Sequence, residues 1–323
     1  MNNKIEKCEL SIVIINFRTY ELIRGCLKTL LPELSTLDAR VVIVDNNSGD
    51  GSSDLIEEWL NENDTNHLVK LIRSNDNSGF SGGNNTGINA IQANYYLLLN
   101  SDTLIRENAI VTLLDTAKNN PQYGLFSPRL EWEDSKPQES CFRFMTPISE
   151  LIASAGTGIV TNLLKNYVIP ISLTESVSFP DWTSFACVLI RDQVFKDIGM
   201  MDSEFFMYFE DIEFCYRSKK AGWSVMNNPK SRVVHLRGGS SPVKSNRKAK
   251  KRLPRYYYES RTRFFYKVYG RWGLIAANLL WVIGRSLSKG RETLGLKQQH
   301  LCESQWRDIW INWINPLKAY TKP

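Results

Sequence analysis

Four short stretches carry side chains able to do chemistry. Asp102 closes the run LLLNSD, directly behind apolar residues. A carboxylate at the end of a buried strand is costly unless a cation or hydrogen-bond donors meet it. A Mg2+ or Mn2+ ion held between it and a diphosphate would meet that need; capping the helix that follows, through Asp102-Thr103, is the structural alternative. Glu210-Asp211 stand within FFMYFEDIEFCYR, where aromatic surroundings raise a carboxyl pKa and suit a general base. A helix start with acids in its first turn explains them equally well. His235 ends the apolar run VVH ahead of Leu236, Arg237 and two glycines, a position open to metal ligation, although a lone histidine is more often structural. Ser78–Asn84 reads SGFSGGN and opens a helical pattern. Glycines let a backbone approach a phosphate, and N–H groups at a helix N-terminus favour negative charge. No GK[ST] follows, and the segment comes after the third apolar run, so it is neither a P-loop nor the dinucleotide fingerprint.

The elements around these residues alternate. Leu10–Ile15, Val41–Val44, Leu68–Ile72 and Tyr95–Leu99 read as strands, and Tyr20–Leu31, Asp54–Leu60 and Asn84–Gln92 as helices. That rhythm predicts an α/β fold, a mostly parallel sheet with helices on both faces, and such sheets bind ligands at the carboxyl ends of their strands. Every one of those ends is polar: Asn16 after the first, the Asp45–Asp50 run after the second, Ser74–Asn84 after the third, and Asn100-Ser101-Asp102 after the fourth. One such cluster is what turns produce; four on one rim point to a ligand site. Residues 121–180 show little pattern. Ser241–Arg255 is basic and turn-rich, a predicted mobile loop, followed by YYYESRTRFFYKVYGRWG and the short apolar run Leu274–Ile283. The expected organisation is a catalytic α/β domain over residues 1–240 and a basic, helical extension over 241–323.

The chain has 323 residues, 42% hydrophobic and 23% charged, values that suit a globular protein and exclude a disordered one. Its six cysteines form no CxxC pair and several lie in apolar runs, which suits reduced thiols in a cytoplasmic protein. The N-terminus lacks the apolar run of a signal peptide, and no stretch reaches the ~20 apolar residues that span a bilayer. The net charge of +6 is unevenly spread: residues 230–323 carry 21 Lys and Arg against 4 Asp and Glu, leaving 19 against 30 for residues 1–229. The C-terminal third therefore expects a polyanionic neighbour, either a phosphate-bearing substrate, an anionic membrane face or nucleic acid. No recognised nucleic-acid motif accompanies it, and nucleic-acid binding leaves Asp45, Asp102 and Glu210-Asp211 unexplained. A nucleotidyltransferase is the rival enzyme reading.

SIVIINFRTYELIRGCLKTL, VVIVDNNSGDGS, NSGFSGGNNTGI, LLLNSDT, FFMYFEDIEFCYRSKKAGW and VVHLRGGSS, in this order across roughly residues 10–270, resemble the successive blocks of family 2 glycosyltransferases. Within that family they are most similar to the bacterial rhamnosyltransferase-like branch and its galactofuranosyltransferase relatives. The resemblance implies a GT-A (Rossmann-like) fold and an inverting, metal-dependent transfer of a sugar from a nucleoside diphosphate, with dTDP-L-rhamnose as the first expectation. The acceptor would be a hydroxyl on a glycan or a polyprenyl-diphosphate-linked glycan, in bacterial surface polysaccharide synthesis. It places Asp45 and Asn47 at the nucleotide base, with Asn16 and Phe17 lining its pocket, and Gly79, Gly82 and Asn84 packing around the donor. Asn100-Ser101-Asp102 takes the place of the DxD motif; asparagine replaces its first acid, so Mn2+ or Mg2+ would rest on Asp102 and on His235. Asp211 matches the catalytic base, with Glu210 beside it, and Trp182 matches an aromatic residue against the acceptor. Arg261, in YYYESR, matches a diphosphate-contacting segment, although Thr262 departs from the asparagine usual there. The basic extension would close over the diphosphate or, as an interfacial amphipathic helix, dock on the inner face of the cell membrane.

Overall fold

The computed structural model describes residues 7–172, 174–237, 241–296 and 299–322. The chain divides into two compact units. The first comprises Met1–Phe142, Ser172–Ser203 and Phe214–Ser240; the second comprises Arg143–Ile171, Glu204–Glu213 and Ser241–Pro323.

The first unit is built on ten strands: β1 (Cys8–Asn16), β2 (Ala39–Asp45), β3 (Val69–Arg73), β4 (Ala93–Asn100), β5 (Thr103–Ile105), β6 (Tyr123–Glu131), β7 (Cys141–Phe142), β8 (Trp182–Thr183), β9 (Cys187–Arg191) and β10 (Ser224–His235). Eight form one sheet in the order β3-β2-β1-β4-β9-β6-β10-β5, and β7 pairs with β8. β1 runs parallel to β2 and β4, and β2 parallel to β3. β9 is antiparallel to both β4 and β6, and β10 is parallel to β6. Two reversals cancel, so β6 and β10 point the same way as β1–β4, and all their carboxyl ends share one rim.

Both faces of the sheet are covered, which is why its strands read as continuous apolar runs. On one face Leu10, Ile12 and Ile14 pack with Val41, Ile43, Leu97 and Leu99 against Ile23, Leu27 and Leu30, the apolar side of helix Tyr20–Leu30. That helix tightens into a 3-10 turn, Leu31–Leu34, where Pro32 removes a donor. On the other face lies helix Gly79–Ala90, which begins five residues earlier than the sequence pattern indicated, so most of the glycine-rich segment is helical rather than a loop. Glycine weakens a helix by roughly 0.5–1 kcal/mol relative to alanine. Close packing accounts for its use here: a Cβ on Gly87 would lie 3.1 Å from one Val13 methyl and nearer still to the other, and one on Gly83 would lie 3.1 Å from Ile15 Cδ1.

The second unit is helical. Helix Pro147–Ala155 starts with a reciprocal cap between Thr146 and Ser149. It packs on the helical run Arg255–Thr293, which is interrupted at Gly270 (φ 70°, ψ −173°). Gly284 permits the close approach, since a Cβ there would sit 2.6 Å from the Leu151 carbonyl oxygen. The interface holds a buried polar group: Arg261 Nη2 donates to Glu150 Oε2 at 2.7 Å and Nη1 to Asn278 Oδ1 at 2.7 Å, with the guanidinium 4.9 Å from the Phe265 ring centroid. The stretch expected to be a mobile loop instead forms helix Val243–Lys248. It is anchored by buried Val243 and Leu253 in a cluster with Phe206, Tyr256, Tyr258 and Trp281, and by the paired bonds of Arg252 to buried Asp308. Segments 143–171 and 204–213 belong with this unit and not with the sheet, because Glu150 and Phe206 find their partners there.

Breaking a buried ion pair strands one charge and costs about 3–5 kcal/mol, whereas replacing both partners by apolar groups is often neutral. Arg261→Ala is therefore expected to lower the denaturant midpoint substantially, and Arg261→Met combined with Glu150→Met to recover most of the loss. A double variant no more stable than Arg261→Ala would show that the pair is not what these helices need.

Candidate functional site

The site in the sheet unit is a line of polar side chains along the carboxyl rim. Asn16 ends β1 and is in register with Asp45 at the end of β2. Its Nδ2 donates to Asp45 Oδ1 (2.7 Å) and to Ser52 Oγ (2.8 Å), and its Oδ1 accepts from Thr19 N (3.1 Å) and Thr19 Oγ1 (2.9 Å). Asn16 is fully buried and fully engaged, so it organises the two strand ends rather than presenting a free amide. Asp45 also accepts from Ser48 Oγ (2.5 Å) and Ser48 N (3.3 Å). These donors compensate a buried carboxylate. Asn47 follows exposed in the left-handed region (φ 57°), a conformation that asparagine tolerates well.

Asn46, within the polar run Asp45–Asp50 that ends β2, ties that strand to the glycine-rich segment. Its Nδ2 donates to Asn77 Oδ1 (3.0 Å) and Gly79 O (2.9 Å), while its Oδ1 accepts from Ser78 N and Ser78 Oγ, both at 3.2 Å. Helix Gly79–Ala90 is thereby held with its N-terminus on the rim. Gly79 takes φ 71° where the chain turns into it. Asn84 is buried and donates to Phe80 O (3.0 Å), and Gly82 lies in the first turn. Half-buried Phe17 is covered by the Arg18 guanidinium at 5.1 Å. Arg18 in turn donates to Ser48 O (3.0 Å), and a cleft of about 340 Å³ opens beside it, lined by Tyr20, Glu21, Asp50, Ser52 and Leu55 among others.

Further along the rim, Thr19 Oγ1 lies 3.2 Å from Ser101 Oγ, joining β1 to the end of β4. Asn100 N donates to Ala186 O (2.9 Å), just before β9 begins. Asp102 and His235 come together: His235 Nε2 lies 3.4 Å from Asp102 Oδ1, and both are buried. Two backbone links fix them. His235 pairs with Thr103 across β10 and β5, and Leu236 N donates to Asp102 O (2.9 Å). Gln138 adds a third, donating to His235 O (2.7 Å) and accepting from Arg237 Nε (2.6 Å). Arg237 lies over the Trp132 ring at 5.2 Å. Neither Gln138 nor Arg237 was marked by sequence pattern. The two glycines after Arg237 lie outside the described residues.

Among the described residues no group of three or more His, Cys, Asp or Glu could by itself hold a metal. Asp102 and His235 offer one carboxylate and one imidazole. That set fits a divalent ion that takes most of its ligands from a diphosphate and water, as Mg2+ commonly does, and does not fit a closed structural site.

Trp182 is buried on β8, opposite Phe142 of β7, with ring centroids 4.3 Å apart. Glu210 and Asp211 begin helix Glu210–Lys220. Glu210 is buried, its Oε2 has no hydrogen-bond partner among the described residues, and burial together with the neighbouring charge of Asp211 holds its carboxyl well above the usual range. Asp211 is less buried and accepts from Ile212 N (2.9 Å). Glu213, one turn on, is buried and paired with Lys267 (2.6 Å). The rim thus gathers Asn16, Asp45, Ser101, Asp102 and His235. Arg261 is instead placed on Glu150 and Asn278 within the helical unit.

Residues 11–145 match the model of Glycosyl transferase family 2. The chain is 32% identical over 216 residues to the low-salt glycan biosynthesis hexosyltransferase of Haloferax volcanii, a match spanning 66% of this chain and 62% of that protein. It is 25% identical over 231 residues to the N-acetylglucosaminyl-diphospho-decaprenol L-rhamnosyltransferase of Mycobacterium tuberculosis, spanning 67% of this chain and 73% of that one. Among solved structures it resembles that of GalNAc-T7 with UDP, GalNAc and Mn2+, with a TM-score of 0.56 at 16% identity, covering 97% of this chain and 56% of the other. The sheet order, the polar rim and these likenesses lead to one assignment: the chain has the GT-A fold, and its residues 11–145 are similar to glycosyl transferase family 2.

Proposed function

We propose that this protein transfers a sugar, with inversion, from a nucleoside diphosphate to a hydroxyl of a glycan or lipid-linked glycan. The observation that carries the reading is the Asp102–His235 pair, buried at 3.4 Å on the same rim as the Asn16–Asp45 bond. The donor's nucleoside would dock by Asp45, Asn47 and Phe17, with the neighbouring cleft giving room. The diphosphate would reach the N-terminus of helix Gly79–Ala90 and Asn100-Ser101-Asp102. A Mn2+ or Mg2+ ion held by Asp102 and His235 would supply positive charge to the departing diphosphate. The GalNAc-T7 structure, described with UDP and Mn2+, supports a divalent ion in this fold.

Asp211 is the proposed base. Of the two adjacent carboxyls, Glu210 is the deeper and favours its neutral form, and Asp211 is the more exposed. Asp211 would take the proton of the acceptor hydroxyl as it attacks the anomeric carbon, with Trp182 flanking the acceptor. For the donor we propose dTDP-L-rhamnose, supported by the mycobacterial relative named for L-rhamnosyl transfer. That relative's name also includes a decaprenol-linked acceptor, which supports a polyprenyl-diphosphate acceptor at a membrane face and a part in surface polysaccharide synthesis.

Removing a general base costs about 10²–10⁴-fold in rate. Asp211→Asn is expected to fall by that much in turnover while binding the donor nearly as tightly as wild type; near-normal turnover would remove Asp211 from the role. Release of nucleoside diphosphate is expected to stop in EDTA and to return with Mn2+ or Mg2+; full activity in EDTA, or release of pyrophosphate, would overturn the assignment. Because Glu210 has a raised folded-state pKa, ionising it opposes folding. Its stabilising protonated form is lost as pH climbs from the unfolded carboxylate value, about 4.3, through the higher folded one. Glu210→Gln should therefore melt above wild type at pH 8, with the gap closing towards pH 4. A pH-independent difference would show that Glu210 is not held neutral.

A further inference from the structure

The helical run beyond Gly270 turns an apolar side to solvent. Its inward side is Leu274, Ala277, Asn278, Trp281, Gly284 and Ser288. On the opposite side stand Trp272 (82% exposed), Leu279 (51%), Ile283 (52%) and Leu287 (49%), spaced to lie along one face of a helix. A helix on the surface of a globular protein normally carries charged and polar groups there. Here the charges sit at the margins. With 3.6 residues per turn, Arg271 and Lys289 fall on one flank of the stripe and Arg291 on the other. Residues 271–296 contain four basic residues and a single acid, Glu292, which is bonded to Arg285 (2.7 Å). Arg271 donates to Trp313 O (3.4 Å) and Ile314 O (3.3 Å), which brings exposed Ile314 to the Trp272 end and lengthens the apolar strip.

We propose that this face docks the protein peripherally on an anionic lipid surface, with the stripe lying in the plane of the headgroups. Charge complementarity selects this occupant. Arg271 and Lys289, both exposed along one margin of the apolar strip, meet anionic headgroups while the strip enters the acyl boundary, and an indole at its end suits the interface, where an apolar ring and a polar N–H both find partners. Two copies of the chain stacked stripe to stripe in antiparallel would instead oppose these like charges. Among the described residues no helix is long and apolar enough to cross a membrane, so the contact lies on the surface. It is independent of the donor sugar and of the rim.

The test is co-sedimentation of the full chain with vesicles of phosphatidylcholine alone and of phosphatidylcholine mixed with phosphatidylglycerol. Wild type is expected to pellet with the anionic vesicles, less so as salt rises, and to stay in solution with the neutral ones. Leu279→Glu combined with Ile283→Glu changes only exposed positions and is expected to lower binding by about tenfold or more. Nucleoside diphosphate release with a water-soluble acceptor should be unchanged in that variant, which separates docking from transfer. As a second readout, Trp272→Phe should bind as wild type but lose part of the vesicle-induced blue shift in tryptophan emission. Wild type remaining in solution with anionic vesicles, equal binding by the double variant, or an unchanged blue shift in Trp272→Phe would overturn the proposal. So would self-association of wild type without lipid that the double variant abolishes, since a second copy would then cover the stripe.

Discussion

A carboxylate buried at the end of a β-strand must be met by donors or by a cation, and that constraint organises the sheet unit. Asp45 meets it with Asn16 and Ser48, and Asp102 meets it beside His235. The first arrangement is complete within the protein. In the second, one carboxylate stands beside one imidazole, and we propose these two side chains as the protein's share of a cation site. Sheet topology makes the two neighbours: β9, inserted antiparallel between β4 and β6, restores the direction of β10 so that His235 returns to the rim where β1, β2 and β4 end.

The helical unit faces the same constraint and answers it with internal pairs. Arg261 with Glu150, Lys267 with Glu213 and Arg252 with Asp308 each place a buried acid against a base. In a C-terminal region so rich in Lys and Arg, these acids take up part of the positive charge. Much of what is left lies along the Val243–Lys248 helix and beside the apolar stripe beyond Gly270. Glu210 is the exception, a buried carboxyl whose Oε2 meets no donor among the described residues, and it adapts by favouring its proton.

The strands and the polar rim were legible because both are local. A buried parallel strand is a short apolar run, and its carboxyl end is the next few residues, so Asn16, Asp45, Asp102 and His235 could be marked from sequence. What stayed hidden depended on partners far along the chain. Gln138 matters because it reaches His235, 97 residues on. Arg261, which the resemblance of its YYYESR block would place on a diphosphate, has its charge met by Glu150, 111 residues earlier. Gly79, Gly82 and Gly83 lie ahead of the helix expected over Asn84–Gln92, yet the helix takes them in, and close packing of Gly83 on Ile15 and of Gly87 on Val13 outweighs the entropy that glycine costs a helix. Likewise the basic run 241–255 has loop-like composition, while two apolar residues in it, Val243 and Leu253, are enough to bury it against a cluster assembled from distant segments.

The account centres on a nucleoside diphosphate and a divalent ion completing the Asp102–His235 pair. Thermal denaturation with dTDP or UDP, with and without Mn2+, tests this most directly, since a ligand that binds only the folded state raises its melting temperature. The expected result is a shift with at least one nucleotide that is much larger when Mn2+ is present, with the Mn2+ enhancement lost in Asp102→Asn. A shift of equal size with and without Mn2+, or a Mn2+ enhancement that survives in Asp102→Asn, would contradict it.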